Sequence, residues 1–235
     1  MNLLAFDTST ELMSVAVQRS LDASSQVWQH SGVGGAQTSV RLIPAIQDLM
    51  AQAQLQFGQL DAIVFGNGPG SFTGLRTACS VAQGLAFGAG IEVLAVDTLL
   101  AVAEEARWQL APTLARWQVL ALLDARMDEM YAGRYEFEAG YWTRIGACHL
   151  LRPEELPDAA DCALAGNVFA AYGARLPAAL AQRIEAMPTA GALLRLAPAL
   201  LAAGAALQPE QALPVYVRDK VAQTTLERAA KRAAP

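Results

Sequence analysis

Apolar and polar positions fall into a repeating order along this chain. Leu3 to Phe6 is an apolar run that stops at Asp7, and Leu12 to Gln18 follows with Leu12, Ser14 and Ala16 alternating against Met13, Val15 and Val17. A short apolar run ended by a turn residue predicts a buried strand, and period-two alternation predicts a strand with two unlike faces. Gln26 to His30 continues the meander. Thr38 or Ser39 caps a predicted helix through Gln54, with Leu42, Ile46 and Leu49 or Met50 on one stripe. Ala62 to Phe65 predicts a strand, followed by a glycine loop and a helix to about Phe87. Glu92 to Val96 is a strand again, and Asp97-Thr98 caps a helix through Gln109.

The order then restarts. Val119 to Leu123 is apolar and stops at Asp124, and Met130 lies six places past Asp124 as Met13 lies six past Asp7. Strand-like runs follow at Met130 to Phe137 and Thr143 to Leu151, a short strand near Ala163 to Ala165, and Ala/Leu-rich helices from Phe169 to Leu207. Two halves that each open strand–Asp–turn–strand–strand predict an α/β protein of two similar lobes with a ligand cleft between them. The expected lobes are residues 1–105 and 106–210. Residues 211–235 form a C-terminal segment packing back on the first lobe, loose after Arg228.

Composition narrows the functions. Of 235 residues 54% are hydrophobic and 17% charged, enough for a sizeable core with apolar surface left for a partner. The net charge of −5 gives no general attraction for nucleic acid, so any RNA contact is local or supplied by another chain. Three cysteines, Cys79, Cys148 and Cys162, form no C-x-x-C pair and predict reduced thiols. The start lacks a basic flank, and the longest apolar run, Ala192 to Leu207, is broken by Arg195 and Pro198. These features predict a soluble, cytoplasmic protein without a membrane span.

The stretch FGNGPGSFTGLRTACSVAQGLAFG, Phe65 to Gly88, carries the candidate chemistry. It is not a P-loop, since Gly68 and Gly74 are followed by no lysine, nor a dinucleotide turn, since Gly74 comes one place late. A nucleophile elbow at Ser71 fails because Pro69 and Thr73 stand where glycines belong. Two readings stay open: a tight strand-to-helix turn, or a vestigial phosphate cradle using the amides of Ser71 to Gly74. The cradle set is Asp7, Gly68, Pro69, Gly70, Ser71, Phe72, Thr73, Gly74 and Arg76. The following helix is apolar on more than one side and is buried within this chain or against another protein. Asp7 and Asp124 either hold Mg²⁺ through water or cap turns. His30 and His149 are isolated, with no H-x-x-x-H or H-E-x-x-H, so no catalytic residue and no metal ligand is assigned.

Four stretches, FDTSTELMSVAV, GNGPGSFTGLRTACSVAQGLAFG, DARMDEMY and PVYVRDKVA, together resemble the TsaB (YeaZ) family of tRNA threonylcarbamoyladenosine biosynthesis proteins over nearly the whole chain. Departures include Asn67, Asp128 and Thr77-Ala78 where that family often has Arg, Gly and Ile-Gly. The resemblance implies a duplicated, two-lobed actin/sugar-kinase-like (ribonuclease H-like) fold. It also implies a non-catalytic partner subunit for threonylcarbamoyl transfer to the adenosine next to the anticodon. The catalytic paralogue, TsaD, carries an H-x-x-x-H metal motif whose positions fall here on Thr98 and Val102. By the same resemblance the chain binds no cofactor alone, ATP and metal belonging to the other subunits. Its partners are TsaD and TsaE, tRNA is met only through the complex, and without TsaD the chain forms a homodimer. The expected docking surface is built from the two helices of the first lobe, with Leu42, Ile46, Leu49, Leu75, Ala78 and Val81 at its centre. The rival class is an enzyme. An ATP-dependent small-molecule kinase would work through Asp7 and the glycine loop; a metallopeptidase would lack ligands.

Overall fold

A computed structural model describes residues 1–21, 24–110, 113–157, 162–176 and 182–218. The first sheet holds β1 (Leu3–Asp7), β2 (Leu12–Leu21), β3 (Ser24–Val33), β4 (Ala62–Gly68) and β5 (Glu92–Asp97), in the order β3-β2-β1-β4-β5. The second holds β6 (Arg116–Arg126), β7 (Glu129–Glu138), β8 (Tyr141–Leu151), β9 (Ala163–Gly166) and β10 (Arg183–Glu185), in the order β10-β9-β6-β7-β8. In both, the first three strands form an antiparallel meander, and the fourth strand runs parallel to the first and to the fifth. The inferred duplication is therefore a repeat of sheet topology, with β1 and β6 as counterparts.

The helices break the symmetry. In the first half α1 (Thr38–Gln52) joins β3 to β4, and α2 (Phe72–Ala89) joins β4 to β5. Both cover one sheet face, packing Leu42, Ile46, Ala78 and Ala82 against Leu4, Phe6, Val15 and Phe65. In the second half the corresponding connections hold a 3₁₀ turn, Pro153–Glu155, and the one-turn α4 (Phe169–Tyr172). The helix that follows each sheet crosses to the other. α3 (Thr98–Leu110) leaves the first sheet and packs Leu99, Val102 and Ala106 on Val119, Ala121 and Leu123 of the second. α5 (Ala190–Ala202) leaves the second and packs Leu193, Leu196 and Ala197 on Leu3, Ala5 and Val64 of the first. Division at residues 105 and 210 therefore does not follow the packing: α3 straddles the first boundary, and α5, within 106–210, belongs to the core of the first sheet.

Two further expectations are corrected. The stretch from Phe169 to Leu207 is not continuous helix, because Arg183–Glu185 pairs parallel to β9 with Ile184 opposite Ala165. Pro188 and the Thr189 cap, whose Oγ1 accepts the Ala192 amide at 3.0 Å, delay α5 to Ala190. The proposed docking residues Leu42, Ile46, Leu49, Leu75 and Ala78 are buried inside this chain, and Val81 is half-buried against the same core. A 3.6-residue stripe marks the face that the helix's own sheet requires, so periodicity picked out the inner side.

The described part of the C-terminal segment lies along α2. Ala212 O accepts from Gln83 Nε2 at 3.1 Å, Val215 N donates to Asn67 O at 2.7 Å, and Tyr216 stacks on Phe72 with centroids 4.9 Å apart. The tail after Arg228 lies outside the described residues. Among those described, no helix is long and apolar enough to cross a membrane.

Candidate functional site

The carboxyl ends of β1 and β4 meet the start of α2 at the cleft between the lobes. Asp7 ends β1 and turns the chain, its Oδ1 accepting from Ser9 N at 2.8 Å and Ser9 Oγ at 2.6 Å. Oδ2 is buried and has no partner. Loss of solvation pushes the carboxyl up to about 6, against the opposing pull of the Ser9 hydrogen bonds. Asp7 is thus sealed beneath the turn and does not reach the cleft.

The glycine loop is fitted to this same turn. Ser71 N donates to Ser9 O at 2.7 Å, and Thr8 Oγ1 donates to Gly74 O at 2.7 Å. A Cβ on Gly74 would stand 1.8 Å from Thr8 O, and one on Gly70 would stand 2.6 Å from Ser9 Cβ. These glycines allow the backbone of Thr8 and Ser9 to approach, the space a phosphate would need. Arg76 likewise faces its own chain, donating from Nε to Tyr216 Oη at 3.0 Å with its guanidinium over the Phe72 and Tyr216 rings.

A cleft cavity of 410 Å³ remains. Of the loop residues singled out, Gly70, Ser71, Phe72 and Thr73 line it, whereas Asp7, Gly68, Pro69, Gly74 and Arg76 do not. The far wall is the β6–β7 hairpin with Asp124, Arg126, Met127 and Tyr131, together with Arg218. Within this hairpin, DARMDEMY, only Asp124 had a role assigned from the sequence, as a magnesium holder or a turn cap; Arg126, Met127 and Tyr131 had none. Their position just after Asp124, the counterpart of Asp7, was the available signal. Both cations are engaged: Arg126 Nη1 meets Asp124 Oδ2 at 3.0 Å, and Arg218 Nη2 meets Glu129 Oε2 at 2.6 Å. A polyphosphate needs cations in excess of the site's own anions, and these side chains do not fit one.

The positions aligned with the paralogue's metal motif are closed. Thr98 and Val102 are fully buried, Thr98 Oγ1 accepting from Gly68 N at 3.1 Å and Val102 packing in the second core. His30 and His149 sit exposed on the edge strands β3 and β8. Among the described residues no group of three His, Cys, Asp or Glu could hold a metal ion.

A second feature lies on the outer faces of α1 and α2. Val40 is 74% exposed, Ile43 44% and Phe87 80%. Gly84 and Gly88 lie within α2, yet a Cβ on either would meet nothing within 4 Å. Glycine in a helix interior is less stable than alanine by about 1 kcal/mol, and packing within this chain does not require it here.

A family model described as TsaD, tRNA N6-adenosine threonylcarbamoyltransferase, matches residues 23–225. The chain is 32% identical over 231 residues to the tRNA threonylcarbamoyladenosine biosynthesis protein TsaB of Escherichia coli (strain K12), covering 94% of this chain and 96% of that one. To the TsaB of Haemophilus influenzae it is 32% identical over 233 residues, covering 94% and 95%. The solved structure of YeaZ from Pseudomonas aeruginosa superposes with a TM-score of 0.79 at 40% identity, covering 92% of this chain and 99% of that one.

Proposed function

Because this chain belongs to the TsaB (YeaZ) family, we propose that it serves tRNA threonylcarbamoyladenosine biosynthesis as a non-catalytic subunit docked to a TsaD-type paralogue. The fold is the two-lobed, ribonuclease H-like and actin-like α/β architecture of that family. The metal-motif positions hold a buried Thr98 and Val102, so the chain supplies no imidazole pair of its own. The Arg126 and Arg218 pairs leave the cleft without surplus positive charge for a nucleotide. ATP and metal then reside in the other subunits, TsaE joins as the third component, and tRNA is met only in the assembly.

The observations that carry docking are the pair of exposed helical glycines in α2, with exposed Phe87 on the same helix, and the exposed Val40 and Ile43 of α1. Small residues on a helix surface let a second helix approach closely, and apolar neighbours supply area to bury. Without the paralogue, the same face pairs two copies of this chain about a two-fold axis.

Co-expression with a TsaD-type paralogue tests this reading. Gly84→Leu and Val40→Glu abolish co-purification and lower transfer activity of the reconstituted assembly, while each chain stays folded by circular dichroism. Undiminished complex formation, or transfer by the isolated chain, overturns the proposal.

A further inference from the structure

The two halves differ most where α1 has no counterpart. α1 lies over β2 and β3 in the first lobe. Over the matching strands β7 and β8, the described residues between β8 and β9 hold only the 3₁₀ turn Pro153–Glu155. The space left is a cavity of 420 Å³, separate from the interlobe cleft. Its apolar lining comes from Leu120 on β6, Ala132 on β7 and Ile145 and Leu151 on β8. This volume lies in the range of small-molecule sites.

The polar groups on the rim set the ligand chemistry. Arg134 lines the cavity, its Nη2 donating to the neutral Gln118 Oε1 at 2.7 Å while its Nε is buried and donates to nothing. Among the described residues Arg134 forms no ion pair. The carboxylate that feels its charge, Glu136, is already bonded to Arg116 and Gln118. A half-buried guanidinium whose charge no carboxylate pairs recruits an anion. Glu155 also lines the cavity, its Oε2 accepting the Arg152 amide at 2.8 Å, and it disfavours multiply charged anions. A docked helix fits poorly, since it would cover the solvent-facing network of Arg116, Gln118 and Glu136 beside the cavity.

We propose that this cavity binds a small monocarboxylate with an apolar body, the carboxylate accepting from Arg134 and the body covering Leu120 and Ala132. The inference is independent of the docking surface on α1 and α2.

Hexanoate titrated into the full chain, followed by nuclear magnetic resonance, tests it. Saturable shifts are expected at the Arg134 Nε–H and at the Ala132 and Ala147 methyls, with hexanol and inorganic phosphate producing none at equal concentration. Arg134→Met weakens hexanoate about tenfold or more, the scale of a lost charge-assisted hydrogen bond. Should Arg134→Met fail to fold, Ala147→Trp on the edge strand carries the test by obstructing the cavity, with the same loss expected. Absence of saturation, equal binding of hexanol, saturable binding of phosphate, or shifts centred on Ser9 and Thr73 overturn the proposal. So does protection of these residues only on adding a TsaD-type partner, which makes the face a protein interface.

Discussion

The two lobes share one strand order but use it differently. Asp7 ends β1, Asp124 stands at an irregularity two residues before the end of the counterpart β6, and each accepts the backbone amide two residues on, Ser9 N and Arg126 N, each at 2.8 Å. Yet Asp7 is completely buried with an orphan oxygen. Asp124 keeps 14% of its side chain exposed and satisfies both oxygens, with Arg126 and Tyr172. After β4 comes the eighteen-residue α2; after β9 comes the four-residue α4. The first lobe carries long helices, α1 and α2, with exposed apolar and glycine positions, and the second is pared to a sheet with α3 as its long helical cover. Duplication fixed the turn chemistry, while burial and helix length diverged according to what each lobe meets.

The helix exchange holds the unequal halves together, and breaking it gives the largest expected effect. Glu104 on α3 is buried and accepts from Arg107 Nε at 2.9 Å, Arg195 Nε on α5 at 2.9 Å and Trp142 Nε1 on β8 at 3.0 Å. Glu104→Leu leaves Arg195 and Trp142 without this acceptor, and removing one member of a buried ionic cluster costs about 3–5 kcal/mol. Urea unfolding should show that loss in one transition, with hydrogen exchange accelerating in β1 and β6 alike. Acceleration confined to the second sheet would mean that the lobes are not coupled through α3 and α5.

Asp7 and Asp124 sharpen the comparison through pH. The folded carboxyl of Asp7 lies near 6 against an ordinary value of 3.8, so between those values the folded state binds more protons than the unfolded. Its contribution to stability therefore falls as pH rises from about 4 to 6 and stays low above that. At about 1.4 kcal/mol per unit the difference approaches 3 kcal/mol. Asp7→Asn should remove this slope, seen as wild type minus variant stability between pH 4 and 7. A constant offset from the new amide leaves the slope readable. Glu136, Asp128 and Glu154, held low by hydrogen bonds from Gln118 and Arg116 (Glu136) and from Arg175 (Asp128 and Glu154), pull the other way but cancel in the difference. A parallel pair of pH curves would place Asp7 in contact with solvent.

Much of this was legible in the sequence, and the rest was not for physical reasons. Leu3 to Asp7 and Val119 to Asp124 announced counterpart strands because a buried strand ended by a turn former depends on local pattern. The crossing of α3 and α5 depends on which sheet has an uncovered face, which no local window contains. Arg183–Glu185 is three residues long and becomes strand only through β9. At the site, Gly70 and Gly74 were recognised as close-approach positions, but the approaching group is Thr8–Ser9. Leu42 and Ile46 were taken for a partner's surface because apolar character says that a side chain is buried, never by whom. The outward Val40 and Ile43, which break the inward stripe, and the unpacked Gly84 are the positions these helices leave exposed.

The smallest effect divides the two lobes by their use of helices. Gly84→Ala places a methyl where nothing lies within 4 Å of this chain. The free protein should gain about 1 kcal/mol, through helix propensity and reduced freedom of the unfolded chain. If α2 meets another helix at that point, the same methyl holds the two backbones apart and association weakens. One substitution then moves two observables in opposite directions: the free chain melts higher, while the complex with a TsaD-type partner dissociates faster. Gly140, exposed in the β7–β8 turn of the second lobe, has equal open space but a φ of +91°. Gly140→Ala should therefore lower the stability of the free chain and leave association untouched. A gain in melting temperature with unchanged association for Gly84→Ala would leave the exposed glycines of α2 without a partner and remove the functional distinction between the lobes.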